Sequence, residues 1–143
     1  IEYYPYYDRR HNVNLVLTYT LGPARNWEIS ARWNLGTGFP FTETQGFYEK
    51  LTFGDGINTD YTTANGDLGI RYGEINQGRL PVFHRLDINV KRIFFIGNHS
   101  QLEVNLGATN VYDRENVFYI DRVTNERVDQ LPIMPSLGVK ISF

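Results

Sequence analysis

Apolar and polar residues alternate with period two in separate stretches of this chain. From Asn12 to Leu21 one face carries Val13, Leu15, Leu17, Tyr19 and Leu21. The other carries Asn12, Asn14, Thr18 and Thr20, broken only by Val16. From Trp27 to about Gly36, Trp27, Ile29, Ala31, Trp33 and Leu35 oppose Glu28, Ser30, Arg32 and Asn34. Successive side chains of a strand point to opposite faces, so each stretch predicts a strand with one apolar and one polar side. The intervening Gly22-Pro23-Ala24-Arg25-Asn26 reads as a short turn, which makes the pair a hairpin with long arms.

After Thr37-Gly38-Phe39-Pro40-Phe41-Thr42 the alternation dissolves until about Val82. This segment is rich in Gly, Asn, Asp and Thr and is too long for an ordinary connection in a compact soluble domain, so it is expected to be a functional or mobile loop. Order returns at His84, with Leu86, Ile88, Val90 and Phe94 opposite Arg85, Asp87, Asn89 and Lys91. Arg92 breaks the apolar face near the end of this strand, which marks either an interface position or a bulge. Gly97-Asn98-His99 is a second short turn. Gln101–Asn110 is the next strand, with Leu102, Val104, Leu106 and Ala108 opposite Glu103, Asn105, Gly107 and Thr109. A second long connection, about Val111–Pro135, holds a candidate small hairpin, Val117–Ile120 against Arg127–Leu131, turning at Thr124-Asn125-Glu126. The last strand places Leu137, Val139, Ile141 and the terminal Phe143 on one face, and Gly138, Lys140 and Ser142 on the other.

Connection lengths alternate. Counted back from the C-terminus they run long, short, long, short, so tight turns collect at one end of the sheet and large loops at the other. Transmembrane barrels have this layout, and tilted strands of about ten residues cross an apolar band of roughly 25 Å. A half-solvated antiparallel sheet on a soluble core produces the same alternation. It has shorter strands, though, and no reason to sort its loops by length. The expected fold class is therefore all-β, an antiparallel transmembrane β-barrel. Its mixed charges (Glu28, Arg32, Arg85, Asp87, Lys91, Glu103, Lys140) are expected to line the lumen.

Composition narrows the function classes. A chain of 143 residues with net charge -2 carries no basic footprint for nucleic acid. The absence of cysteine excludes disulfides, zinc–thiolate sites and cysteine catalysis. No apolar run reaches the roughly 18 residues of a membrane-spanning helix. Ten Tyr, nine Phe and two Trp are an unusual load. Tyr3, Tyr4, Tyr6 and Tyr7 sit beside Asp8, Arg9, Arg10 and His11, as aromatic rings do at a membrane–water interface. The chain opens at Ile1 inside this aromatic segment, and the expectation is a piece of a longer protein.

Two resemblances follow from these residues. Ser136-x-Gly138-x-x-Ile141-x-Phe143 resembles the C-terminal signal that the assembly machinery of bacterial outer-membrane barrels reads. Five further stretches resemble the C-terminal part of TonB-dependent outer-membrane receptors of the Bacteroidota type. They are Asp8-Arg9-Arg10-His11-Asn12, Thr37-Gly38-x-Pro40, Arg79-Leu80-Pro81-x-x-His84-Arg85-Leu86-Asp87, Thr109-Asn110-Val111-Tyr112-Asp113 and Leu131-Pro132-x-x-Pro135-Ser136-Leu137-Gly138. The resemblance covers nearly all of the chain except residues 43–78. It implies a Gram-negative outer-membrane barrel of about 22 strands closed by an N-terminal plug that engages TonB. Residues 1–143 would then be C-terminal strands of that one barrel domain, with the plug outside this chain.

The function so implied is energised uptake of a scarce ligand, with outer-membrane lipid, TonB through the plug, the barrel assembly machinery and a surface lipoprotein as expected partners. Tyr48, Asn58, Tyr61, Asn65 and Tyr72, in the long loop, are the candidate ligand contacts, each weighed against plain solvated loop. A passive porin, or a structural barrel that scaffolds a surface complex, has the same strand pattern. An outer-membrane enzyme would need a nucleophile, base and orienting group that converge. His11, His84 and His99 have no Ser or acidic partner at a diagnostic spacing, so the expectation is no enzyme and no cofactor. Asp55, Asn58, Asp60, Asn65 and Asp67 are oxygen ligands of the kind calcium takes, but Ile57 and Thr59 fall where ligands should be.

Overall fold

Each alternating stretch becomes a strand. The computed structural model describes residues 2–50, 66–97 and 99–143. These hold β1 (Asn12–Leu21), β2 (Trp27–Gly36), β3 (Pro40–Phe41), β4 (Thr44–Lys50), β5 (Asp67–Tyr72), β6 (Gly78–Arg79), β7 (Phe83–Ile96), β8 (Ser100–Thr109), β9 (Val117–Ile120), β10 (Arg127–Asp129) and β11 (Met134–Ser142), with no helix among the described residues. The fold class is all-β and antiparallel. The five long strands form one sheet in the order β1-β2-β7-β8-β11. The sheet is open, with β1 and β11 as its edges, and no closed barrel is seen among the described residues.

Register decides which residues share a face, because directly paired residues of an antiparallel ladder project to the same side. One row runs Tyr19, Ile29, Val90, Leu106, Leu137 across all five strands. The next row toward the short turns runs Leu21, Trp27, Arg92, Val104, Val139. Between them lies Thr20, Glu28, Lys91, Asn105, Gly138 on the opposite face. Trp33 pairs Leu86, while Lys140 pairs Glu103, so the apolar and charged sets fall on separate sides as the alternation requires. Arg92 does not mark a bulge, because the β2–β7 and β7–β8 registers run through it without a shift. Ile93, opposite Glu103, is the apolar intruder on the charged side.

Neither face is covered by a second layer. No hydrophobic residue among the described ones is buried. Leu106 sits on β8, an interior strand, and is still 57% exposed. In a two-layer fold it would lie in the core. The accessible surface of 11089 Å² compares with about 7,600 Å² for a compact monomer of this mass. A Leu or Ile kept in water forgoes about 1.5–3 kcal/mol of burial free energy, and the sheet holds that liability along its whole apolar side.

Two parts of the segment expected to be irregular are in fact ordered as strands. β4 pairs β5 from Thr44↔Tyr72 to Lys50↔Asp67, and β3 pairs β6. The second long connection behaves as read, with β9 against β10, although β10 ends at Asp129 rather than Leu131. The order of long and short connections also stands. The short connections from β1 to β2 and from β7 to β8 lie at one end, and the β3–β6 and β9–β10 segments occupy the other.

The loop end is tied together by buried amides. Asn110 is fully buried at φ 56°, a left-handed conformation that Asn tolerates better than most residues. Its Nδ2 donates to the carbonyls of Arg114 (3.0 Å) and Leu131 (3.2 Å), and its Oδ1 accepts from the Arg114 amide (3.1 Å). Its own amide donates to Asp87 Oδ1 at 3.1 Å. Asn116 accepts from the His84 amide (3.2 Å) and donates to the His84 carbonyl (2.9 Å), so a side-chain amide imitates a strand partner for β7. Replacing Asn110 by Ala would strand buried donors and acceptors and force an Ala into left-handed backbone. Asn110→Ala is expected to destabilise the chain by about 2–4 kcal/mol in denaturant unfolding, with Asn110→Gly recovering only the backbone part.

Candidate functional site

The two loop segments meet above the loop end of the sheet. β4 and β5 make one hairpin, β9 and β10 another, and β3 with β6 forms the base beneath. Thr44 Oγ1 donates to the carbonyl of Arg122 at 3.2 Å, and the Arg122 guanidinium lies 5.7 Å from the Tyr72 ring centroid. Between the hairpins is a cavity of about 800 Å³. Ile70, Leu80, Ile120 and Val123 give it an apolar lining, Phe41 and Tyr119 add rings, and Glu43, Arg122 and Asn125 bring polar groups.

Local sequence explains each wall. Gly38 lets the chain entering β3 run against the residue that follows β6, because a Cβ there would stand 1.6 Å from the Leu80 carbonyl oxygen. The Leu80 amide donates to the Phe39 carbonyl at 3.0 Å in the same close approach. Thr42 and Asn76 lock the base, with the Asn76 amide on Thr42 Oγ1 (3.1 Å) and Asn76 Nδ2 on the Tyr4 carbonyl (2.6 Å). The turn between β9 and β10 is an Asx turn. Asp121 Oδ1 accepts from the amides of Val123 (2.8 Å) and Thr124 (3.0 Å), and Asn125 takes φ 56°.

The N-terminal segment is tied to the residues around β3 and β6. Asp8 pairs with Arg79, whose Nη1 also donates to the Gly38 carbonyl at 3.3 Å. Tyr4 lies between the Arg10 and Arg79 guanidinium groups, 5.2 and 5.1 Å from its ring centroid. Arg9 stacks on Phe39 at 4.4 Å and donates to the Thr37 carbonyl at 3.1 Å. On the charged face of the sheet, Asp87 takes Arg32 (3.2 Å) and Arg85 (2.9 Å), and Glu28 takes Lys91 (2.9 Å). Asp87 thus joins this charged wall to the buried Asn110.

Of the candidate ligand contacts, Tyr48 lies on β4 and Tyr72 on β5, both exposed. Asn58, Tyr61 and Asn65 lie outside the described residues, as do the oxygen ligands weighed for calcium except Asp67. Tyr48 does not line the cavity. Its ring covers its register partner Gly69, where a Cβ would meet it at 2.5 Å. Tyr72 does not line the cavity itself but neighbours it through Arg122 and through its register partner Thr44. The residues that line the cavity from the second connection, Tyr119 to Asn125, were not singled out by the sequence, although the Thr124-Asn125-Glu126 turn signal marked their place. Ser136, Gly138 and Ile141 lie on β11, and Phe143 follows it, 99% exposed. His11 and His84 fall at the same loop end, and the His84 ring is occupied by the Tyr112 hydroxyl at 2.7 Å.

Comparison with protein-family models, with curated proteins and with solved structures finds no match to this chain.

The Asp121 turn gives the cavity a pH dependence. The Thr124 and Val123 amides hold the Asp121 carboxyl below the usual carboxylate range. A depressed pKa contributes order that is present above the unfolded value of about 3.9 and is lost as pH falls through the folded one. Protection of the Val123 and Thr124 amides, taken relative to their intrinsic exchange rates at each pH, is expected to hold from neutral pH to about 5 and to be lost as pH falls below about 4. Asp121→Asn removes the acid-dependent step.

Proposed function

We propose that this chain is part of an outer-membrane receptor for TonB-driven uptake of a scarce ligand. It would supply neighbouring wall strands and two extracellular loop hairpins. The observation that carries the reading is the uncovered apolar side of the five-stranded sheet, continuous from Leu17 on β1 to Ile141 on β11, with Leu106 open on an interior strand. Water disfavours such a face and lipid hydrocarbon favours it. The opposite side, with its paired charges of both signs, suits a polar lumen. The sorting of long and short connections supports the same orientation, loops outside and tight turns in the periplasm. Five strands are too few to close a spanning barrel, which needs about eight, so further strands are part of the proposal, as is the plug.

The resemblance to TonB-dependent receptors gains a physical content here. The stretches that carry it lie far apart in sequence and bond to one another at the loop end: Asp8 to Arg79, Arg9 to Thr37, Asn110 to Asp87 and to Leu131. They act as a collar that fixes the loop hairpins to the sheet. The cavity between those hairpins is the favoured place for ligand contact, with an apolar lining and a few polar groups of the kind that small-molecule sites use.

Uptake assays test the function. Cells expressing the full-length parent are offered siderophores, vitamins, glycans and peptides in turn. Accumulation of one class is expected, and it should stop when TonB is deleted or the proton gradient is collapsed. Flux that persists without TonB would move the assignment to a porin. Shortening the chain between Glu43 and Gly78 is expected to weaken ligand binding about tenfold or more while outer-membrane levels hold, since insertions and deletions in a surface loop cost the sheet little. Unchanged affinity with loss of a bound surface protein would favour the scaffold. Assembly has its own test: deleting Phe143 should lower outer-membrane levels of the parent several-fold, and normal levels would count against the assembly signal.

A further inference from the structure

The apolar face carries one charge, and its surroundings give that charge a task. Arg92 lies in the row Leu21, Trp27, Arg92, Val104, Val139, level with the turn that joins β1 to β2. The Ile93 amide, next in sequence, donates to the Asn26 carbonyl of that turn at 2.8 Å. The Arg92 guanidinium carbon is 4.5 Å from the Trp27 ring centroid and 4.4 Å from that of Phe94, so the group packs against both rings. Its Nε is sealed from water without a hydrogen-bond partner. No carboxylate among the described residues pairs with it. The acidic residues of the sheet, Glu28, Asp87 and Glu103, all stand in rows of the opposite face. Arg25 adds a second positive charge in the adjoining turn.

We propose that Arg92, packed against Trp27 and Phe94, binds the phosphate of an anionic glycerophospholipid in the leaflet at the short-turn end. The site rests on the membrane reading given above. A guanidinium on a lipid-facing surface is costly unless it reaches the interface and finds an anion. Trp27 and Phe94 keep the side chain extended and pre-ordered, so less rotamer freedom is lost on binding. With Nε covered, the Nη1 and Nη2 groups are the donors that meet two phosphate oxygens, a match that an ammonium cannot make. The acyl chains would then lie along Ile29, Val90 and Leu106 of the next row.

The test uses the full-length parent in nanodiscs of phosphatidylcholine doped with phosphatidylglycerol, with tightly held lipid counted by native mass spectrometry. Wild type is expected to retain phosphatidylglycerol over phosphatidylcholine, and Arg92→Gln to hold it about tenfold more weakly, the scale of one lost charge-assisted contact. Equal retention by the two proteins overturns the site. Displacement of the retained lipid by inorganic phosphate overturns the lipid assignment in favour of a general anion site. Should Arg92→Gln fail to assemble, the wild-type preference decides alone, and equal retention of the two lipids overturns the proposal. Failure of the wild type to enter nanodiscs at all would defeat the membrane reading itself, an outcome separate from entry without lipid selectivity.

Discussion

A sheet without a core is the constraint on which everything else here depends. Soluble domains order their strands by burying one face, and the free energy of that burial offsets the conformational entropy lost on folding. This sheet has ladders of nine or ten residue pairs between neighbouring strands and no buried apolar side chain among the described residues. Backbone hydrogen bonding and side-chain rows within each face therefore define its order. Register is strongly specified, since a slip of one residue would send Trp33, Leu86 and Ile88 to the charged side and Arg32 and Asp87 to the apolar one. In the proposed lipid setting the same ladder gains strength, because hydrocarbon offers the backbone no competing partner.

The loop end solves a different problem. A long connection must leave the sheet, build a hairpin and return without unsatisfied backbone groups. Asn110 and Asn116 do this with side-chain amides that bond to carbonyls and amides of neighbouring segments. Gly38 does it by letting two backbones run side by side in contact. Asp87 couples both devices to the charged wall through Arg32, Arg85 and the Asn110 amide. The result is a fixed frame under the hairpins, so the cavity between them has a defined base although its upper walls are loops.

The sheet was legible in the sequence because period two runs through each of its five strands, with Val16, Arg92 and Ile93 as isolated breaks. The hairpin of β4 and β5 was hidden for the converse reason. Phe47 and Tyr48 are adjacent in β4, so no apolar face emerges. In β5, Leu68, Ile70 and Tyr72 do alternate, but over a run too short and too close to glycines to stand out. A hairpin exposed on both sides has no face to declare. Arg92 broke the pattern visibly, yet its aromatic neighbours come from Trp27 on another strand as well as from Phe94 beside it, and only register joins them. The cavity was illegible because its walls come from connections that lie about 40–80 residues apart, joined by such contacts as the hydrogen bond from Thr44 to Arg122. Asn110 and Asn116 look like ordinary turn residues in sequence, and their burial appears only when the chain has folded around them.

The central claim is that the apolar side of this sheet meets lipid. Single cysteines placed from Leu137 to Ser142 in the full-length parent, labelled with an environment-sensitive fluorophore and exposed to brominated phospholipid, read it directly. Quenching is expected to alternate, strong at Leu137, Val139 and Ile141 and weak at Gly138, Lys140 and Ser142. Uniform quenching along the strand, or none at any position, would contradict the account.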